Sequence, residues 1–183
     1  MLPIAPLMIE HRLIERMIAL MKKETDRITI EGITNLDLID MSVDFIHTYA
    51  DQCHHGKEEK ILFRELGNKN LSSEDRRIME ELINEHRLGR EAVTELVGAK
   101  EKYMKGNKEE IHVVLGRMRF IHDFYPKHIE KEDKHFFLPC MDYFTAEEKD
   151  AILREEWEFD KGFIHKVYES KLRQAEILMT GRQ

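Results

Sequence analysis

Glycine and proline are scarce in this chain. Its 9 Gly and 4 Pro among 183 residues supply too few turns for an all-β fold, so helix is the natural expectation. Cysteine is scarcer still: Cys53 and Cys140 are the two, and they form neither a disulfide framework nor a C-x-x-C, which fits a reducing compartment. No apolar run approaches the ~20 residues that span a bilayer, and the opening MLPIAPLMIEHR has neither a basic leader nor a cleavage site. A membrane is therefore not expected as a partner, and a cytoplasmic location is. Clustered Lys and Arg are also missing; with a net charge of −7 at pH 7 the chain lacks the basic surface that a nucleic-acid partner requires.

What the chain has in excess is histidine, ten residues in all, and their arrangement repeats. The tetrapeptide EHRL occurs at Glu10–Leu13 and again at Glu85–Leu88. Each copy supplies a lone histidine, His11 or His86, and each is followed by an H-x-x-x-E pair: His54 and Glu58 in CHHGKEEKILF, His128 and Glu132 in HIEKEDKHFFLP. On an α-helix, residues i and i+4 lie ~40° apart around the axis and ~6 Å apart along it, so each pair presents an imidazole and a carboxylate to one place.

The hydrophobic pattern predicts the helices that carry these residues. Leu7, Ile9, Leu13, Ile14, Met17, Ile18 and Met21 give a helical period that ends near Arg27. A second helix is predicted from a cap at Thr34 or Asn35 to about Leu66, with Gly67 as its stop. Gly56 within it costs ~1 kcal/mol against alanine, which predicts a close neighbour, such as a metal-bound group, that needs the space. The third helix opens on Ser72 or Ser73 before Glu74 and Asp75 and stops at Gly106–Asn107. The fourth begins near Asn107, is expected to kink at Pro126 one turn ahead of His128, and ends at Pro139. Thr145 caps a fifth from about Ala146 to Met179. The fold class is thus all-α: an antiparallel up-down four-helix bundle over residues 1–141, with an additional C-terminal helix over 142–183 packed on it within the same domain.

Helix bundles hold di-iron and di-manganese sites by projecting Glu and His from facing helices. Four imidazoles and two carboxylates related by an approximate twofold match that chemistry, because two carboxylates between two cations can bridge them and cancel charge in a dry interior. In these residues the chain resembles the hemerythrin-like (HHE cation-binding) family, from about residue 7 to 139. The resemblance implies a non-haem di-iron centre that binds O₂ or its reduced or nitrogen-oxide relatives. It also implies His11, His54, His86 and His128 as imidazole ligands, with Glu58 and Glu132 as the bridging carboxylates.

The oxygen-carrying members have a further histidine one turn after the third-helix ligand, and here that position is Arg90. Two histidines are candidates for the open coordination position, with water or substrate as the third possibility. His55 is adjacent to His54, where the related iron-sensing F-box domain places a glutamate ligand; His165 lies on the fifth helix in FIHKVYES. His135 is expected to face the same side as His128 and orient a carboxylate, whereas His47, His112 and His122 are expected at the surface. Glu10 and Glu85, turned ~100° from the lone histidines, are expected in solvated or interhelical ion pairs, and Glu59 and Asp133 in salt bridges or as weak partners of the ligands.

Imidazole with carboxylate suits iron better than calcium or magnesium, and two bridged ions suit iron or manganese better than tetrahedral zinc. Two iron ions are the expected cofactor, with manganese second. Three functions follow: a protein that binds or senses O₂; an enzyme that reduces peroxide or nitric oxide; or an iron-responsive interaction module. In the last, the C-terminal helix with Trp157, Phe159, Phe163 and Tyr168 signals to a separate protein partner.

Overall fold

A computed structural model of the chain describes residues 1–161 and 165–180, and among these there are helices and no strand. Helix α1, Ile4–Glu31, ends on Gly32, whose φ of 69° lets its N–H turn back to the Ile28 carbonyl at 2.9 Å; glycine adopts this left-handed cap without a Cβ penalty. Helix α2 spans residues 36–67 and starts where the Asn35 side chain accepts the Leu38 N–H. It is α-helical over Leu36–Asp44, π-helical over Phe45–His55 and Glu58–Leu62, and α-helical again over Phe63–Gly67. Helix α3, Ser73–Met104, is capped by the Ser72 hydroxyl, which accepts the Asp75 N–H at 3.0 Å.

Helix α4 spans residues 111–140, and Pro126 lies within its α-helical stretch Ile111–Lys131. A π turn, Glu132–Phe136, and a last α turn, Phe137–Cys140, complete it. The single C-terminal helix expected from the sequence is two segments. Helix α5, Ala146–Asp160, carries a full capping box between Thr145 and Glu148 and closes on the Lys161 N–H, which bonds the Trp157 carbonyl. Helix α6 is His165–Thr180. The candidate ligand His165 opens α6, but its side chain lies outside the described residues, as does Phe163.

Two apolar clusters establish the up-down-up-down course. One gathers Ile4 and Leu7 from the start of α1, Ile61, Leu62 and Leu66 from the end of α2, Ile78 and Leu82 from the start of α3, and Phe136 and Phe137 from the end of α4. The other gathers the opposite ends, among them Met17, Met21, Phe45, Tyr49, Leu96 and Met118. Each fully buried Leu, Ile or Phe contributes ~1.5–3 kcal/mol, so the bundle is secured at both ends and the polar layer between them is carried by that packing. Helix α5 joins the first cluster through Ile152, and α6 joins the second through Leu172 and Ala175. No helix among the described residues is long and apolar enough to cross a membrane.

Candidate metal centre

Between the two clusters lies a layer of buried polar side chains, one set from each helix of the bundle. His11 comes from α1, His54, His55 and Glu58 from α2, His86 from α3, and His128 and Glu132 from α4; all are at most 2% exposed. The two glutamates lie among the imidazoles. Glu58 reaches His54 Nε2 with one oxygen and His86 Nε2 with the other, both at 3.4 Å. Glu132 reaches His11 Nε2 at 3.2 Å with one oxygen, and His128 Nε2 at 3.3 Å and His86 Nε2 at 3.7 Å with the other. Each carboxylate therefore has one oxygen toward a different histidine group.

The opposite nitrogen of each imidazole meets a second carboxylate. Glu10 faces His54 Nδ1 at 2.9 Å, Glu59 faces His86 Nδ1 at 2.7 Å, Glu85 faces His128 Nδ1 at 2.8 Å, and Asp133 faces His11 Nδ1 at 2.8 Å. The contacts run in a ring, α1 to α2, α2 to α3, α3 to α4 and α4 back to α1. A carboxylate only accepts, so a neutral imidazole keeps its proton on Nδ1 and turns the Nε2 lone pair inward, the arrangement that orients a metal-binding histidine. His55 follows the same pattern more loosely: its Nδ1 lies 3.6 Å from Asp51, beyond hydrogen-bond length, and its ring stacks on His86 with centroids 3.9 Å apart. Arg90 ties this corner together, donating to Asp51 at 2.7 Å and to Glu59 at 2.6 Å.

The metal-facing atoms have no hydrogen-bond partner. Nε2 of His11, His54, His86 and His128, and both oxygens of Glu58 and of Glu132, are buried and unsatisfied. An unsatisfied buried polar atom costs ~1–3 kcal/mol, and such atoms gathered in one layer are accounted for by cations that they could hold. Their positions group the same way. One ligand atom each from His11, His54, Glu58 and Glu132 falls within 4.8 Å of the others, and a second such group comprises His55, His86 and His128.

Electrostatics also fits a cation. Burial, followed by the neighbouring Glu132 and Glu10 carboxylates, drives the Glu58 carboxyl well above the usual range. Burial acts on Glu132 in the same direction, but His128, His11 and His86 outweigh it and hold this carboxyl well below. For His11, burial favours the neutral form, yet Asp133 and Glu132 prevail and push its pKa up to about 9. Burial and the nearby His86 lower His55 to about 3, leaving it neutral and able to ligate.

The structure thus brings together seven of the eight sequence-predicted residues, His11, His54, His55, Glu58, His86, His128 and Glu132. Glu10 and Glu85 stand in interhelical ion pairs, as expected, with Lys57 and Lys131, and each also reaches the histidine of the next helix. Other expectations are corrected. His135 is exposed at the surface, because the π turn at Glu132–Phe136 breaks the α register that would have put it beside His128. His122, expected outside, is buried, with Nδ1 2.9 Å from a carboxylate oxygen of Asp123. The neighbour that needs the space at Gly56 is the Phe159 ring, which would lie 3.0 Å from an added Cβ. Asp51 and Lys57 carried no sequence signal for a role; the one available clue is that Lys57-Glu58-Glu59 and Lys131-Glu132-Asp133 repeat the same charge order.

No curated protein and no solved structure matches the chain. A family model, the hemerythrin HHE cation binding domain, matches residues 2–140, a span that holds every residue of the polar layer. The chain accordingly belongs to the hemerythrin HHE cation-binding domain family.

Proposed function

We propose that the chain is a non-haem di-iron protein that binds O₂, or a related small oxidant, and so acts as its carrier or sensor. The observation that carries this reading is the layer of unsatisfied Nε2 and carboxylate oxygen atoms, in which Glu58 and Glu132 group with His11 and His54 and each turns an oxygen toward His86 or His128. His11 and His54 would hold one ion, His55, His86 and His128 the other, with the two glutamates shared. Iron in imidazole and carboxylate ligation would supply an exchangeable coordination position and reversible one-electron chemistry.

The chain's own residues serve binding more than turnover. Glu10, Glu59, Glu85 and Asp133 fix the imidazole orientation. Phe137, Phe63 and Phe124 stack on His11, His86 and His128 with centroids 5.7, 6.0 and 5.6 Å away, and these rings exclude water. Metal analysis combined with the ultraviolet–visible spectrum through a cycle of reduction and re-oxygenation tests the proposal. Two irons per chain and bands that bleach and return with O₂ support it; zinc, or no metal, overturns it.

The looser contact at His55 favours a second reading, an enzyme reducing peroxide or nitric oxide, since a weakly held imidazole can leave a position to substrate. Steady-state consumption of either molecule by iron-loaded protein, absent from the His54→Ala variant, would establish that reading in place of the first.

A further inference from the structure

The two halves of the centre resemble each other in their outer contacts, with one difference. On the α3–α4 side, Lys131 donates to Glu85 at 2.5 Å and to Glu81 at 3.2 Å, and its side chain is 27% exposed. On the α1–α2 side, Lys57 occupies the corresponding position and donates to Glu10, which holds His54. Its side chain is 0% exposed, because its second partner is Asp160 of α5, at 2.7 Å. Helix α5 also seats Phe159 on Gly56, the residue before Lys57. The family match ends at residue 140, and α5 begins at Ala146; the element that buries Lys57 is thus outside the matched domain.

We propose that Asp160 is a positioning residue for one metal position only. Acting through Lys57 and Glu10 it fixes His54, and α5 thereby makes retention of the ion at His11 and His54 depend on the C-terminal extension. The position at His55, His86 and His128 has an extra imidazole and its own outer contacts from α2 and α3, and it does not depend on α5. This inference rests on the two-metal reading above.

The physical reason is the difference in solvation. An ion pair open to water can exchange partners with solvent and transmits little constraint, whereas a buried ammonium held by two carboxylates cannot exchange them for water, and breaking either contact is costly. The chain Asp160–Lys57–Glu10–His54 is of the second kind. The Glu81–Lys131–Glu85–His128 chain is of the first.

The test is anaerobic titration of the metal-free full-length protein with Fe(II), followed by calorimetry, with no reaction required. Wild type is expected to show two steps. Asp160→Ala should weaken one step by about 10–100-fold, the usual effect of losing an outer partner of a ligand, and leave the other unchanged. Asp160→Asn, which keeps the shape and loses the charge, should give a smaller loss at the same step, and Asp160→Glu should restore it. Glu81→Ala, on the exposed side, should leave both steps in place. Phe159→Ala separates packing from positioning: it should lower thermal stability without selecting between steps. Equal weakening of both steps by Asp160→Ala, or no weakening of either, overturns the inference while the two-metal reading stands. A wild-type protein that takes up no second ion overturns both.

Discussion

Glu58 and Glu132 occupy matching places in the repeat but carry different electrostatic burdens, and isosteric substitution should expose the difference. In protein stripped of metal with a chelator, Glu58→Gln should leave stability nearly unchanged at pH 7, because burial and the neighbouring Glu132 already favour the neutral carboxyl at this position. Glu132→Gln should be costly. Glu132 lies 3.2 Å from His11 Nε2 and 3.3 Å from His128 Nε2, and together with Asp133 it keeps His11 protonated to about pH 9. Two pH units of preference at about 1.4 kcal/mol each bound the loss at about 3 kcal/mol at pH 7, because Asp133 still faces His11 Nδ1 in the variant. At 2–4 °C per kcal/mol for a chain of this size, the melting temperature should fall by at most about 6–12 °C. The sign also fixes the pH dependence. His11 has its folded pKa raised from 6.5 to about 9, so the stability it contributes is complete below about 6.5 and is lost as pH rises through about 9. The gap between wild type and Glu132→Gln should therefore close in alkaline buffer. Urea melts at pH 7 and pH 10 measure this; equal losses for the two variants at pH 7, or a larger loss for Glu58→Gln, would refute the reasoning.

Other substitutions probe the surroundings. Gly56→Val places a branched side chain where an added Cβ already lies 3.0 Å from Phe159, and overpacking of this kind should cost about 1–3 kcal/mol in denaturant melts; full tolerance would mean that α5 is not seated there. Arg90→Met releases Asp51 and Glu59 from their shared guanidinium and should lower affinity at the three-histidine position about 10-fold in competition with a chelator. An unchanged affinity would remove Arg90 from the site. Glu156 is buried without a hydrogen-bond partner, and burial pushes its pKa from 4.5 up to about 8. Folded protein therefore holds a proton that unfolded protein releases, and stability should fall by at most about 1.4 kcal/mol per pH unit across that window. Glu156→Gln should flatten the slope, and a slope that survives the substitution belongs to other groups.

Much of the bundle and its inner layer is legible in the sequence because both depend on helical period. EHRL and H-x-x-x-E place ligands on one face of a helix whatever the rest of the chain does, and Asn35, Ser72 and Thr145 mark helix starts through hydrogen bonds local to the backbone. What lies between helices is harder to see. The angle of Glu10 and Glu85 on their own helices points them at a neighbouring helix, as their ion pairs with Lys57 and Lys131 bear out, but which histidine they meet there depends on how the helices pack. The need for space at Gly56 is visible in the residue, but its cause, Phe159, is over a hundred positions away in the chain. The π turns at Phe45–His55, Glu58–Leu62 and Glu132–Phe136 have no composition of their own. The last of them turns His135 outward; an unbroken α register would have placed it inside.

The separation of the hydrophobic interior into two clusters has a mechanical consequence. Among the described residues no single apolar cluster joins the two halves of the bundle; the four helices pass through a polar seam on the way from one to the other. Cooperative unfolding is transmitted by packed contacts, and regions with few of them open on their own. Ion coordination that ties all four helices at the seam would supply the missing mechanical link, making two half-bundles into a single unfolding unit. Metal in this fold would then set how much of the protein opens at once, in addition to how stable it is.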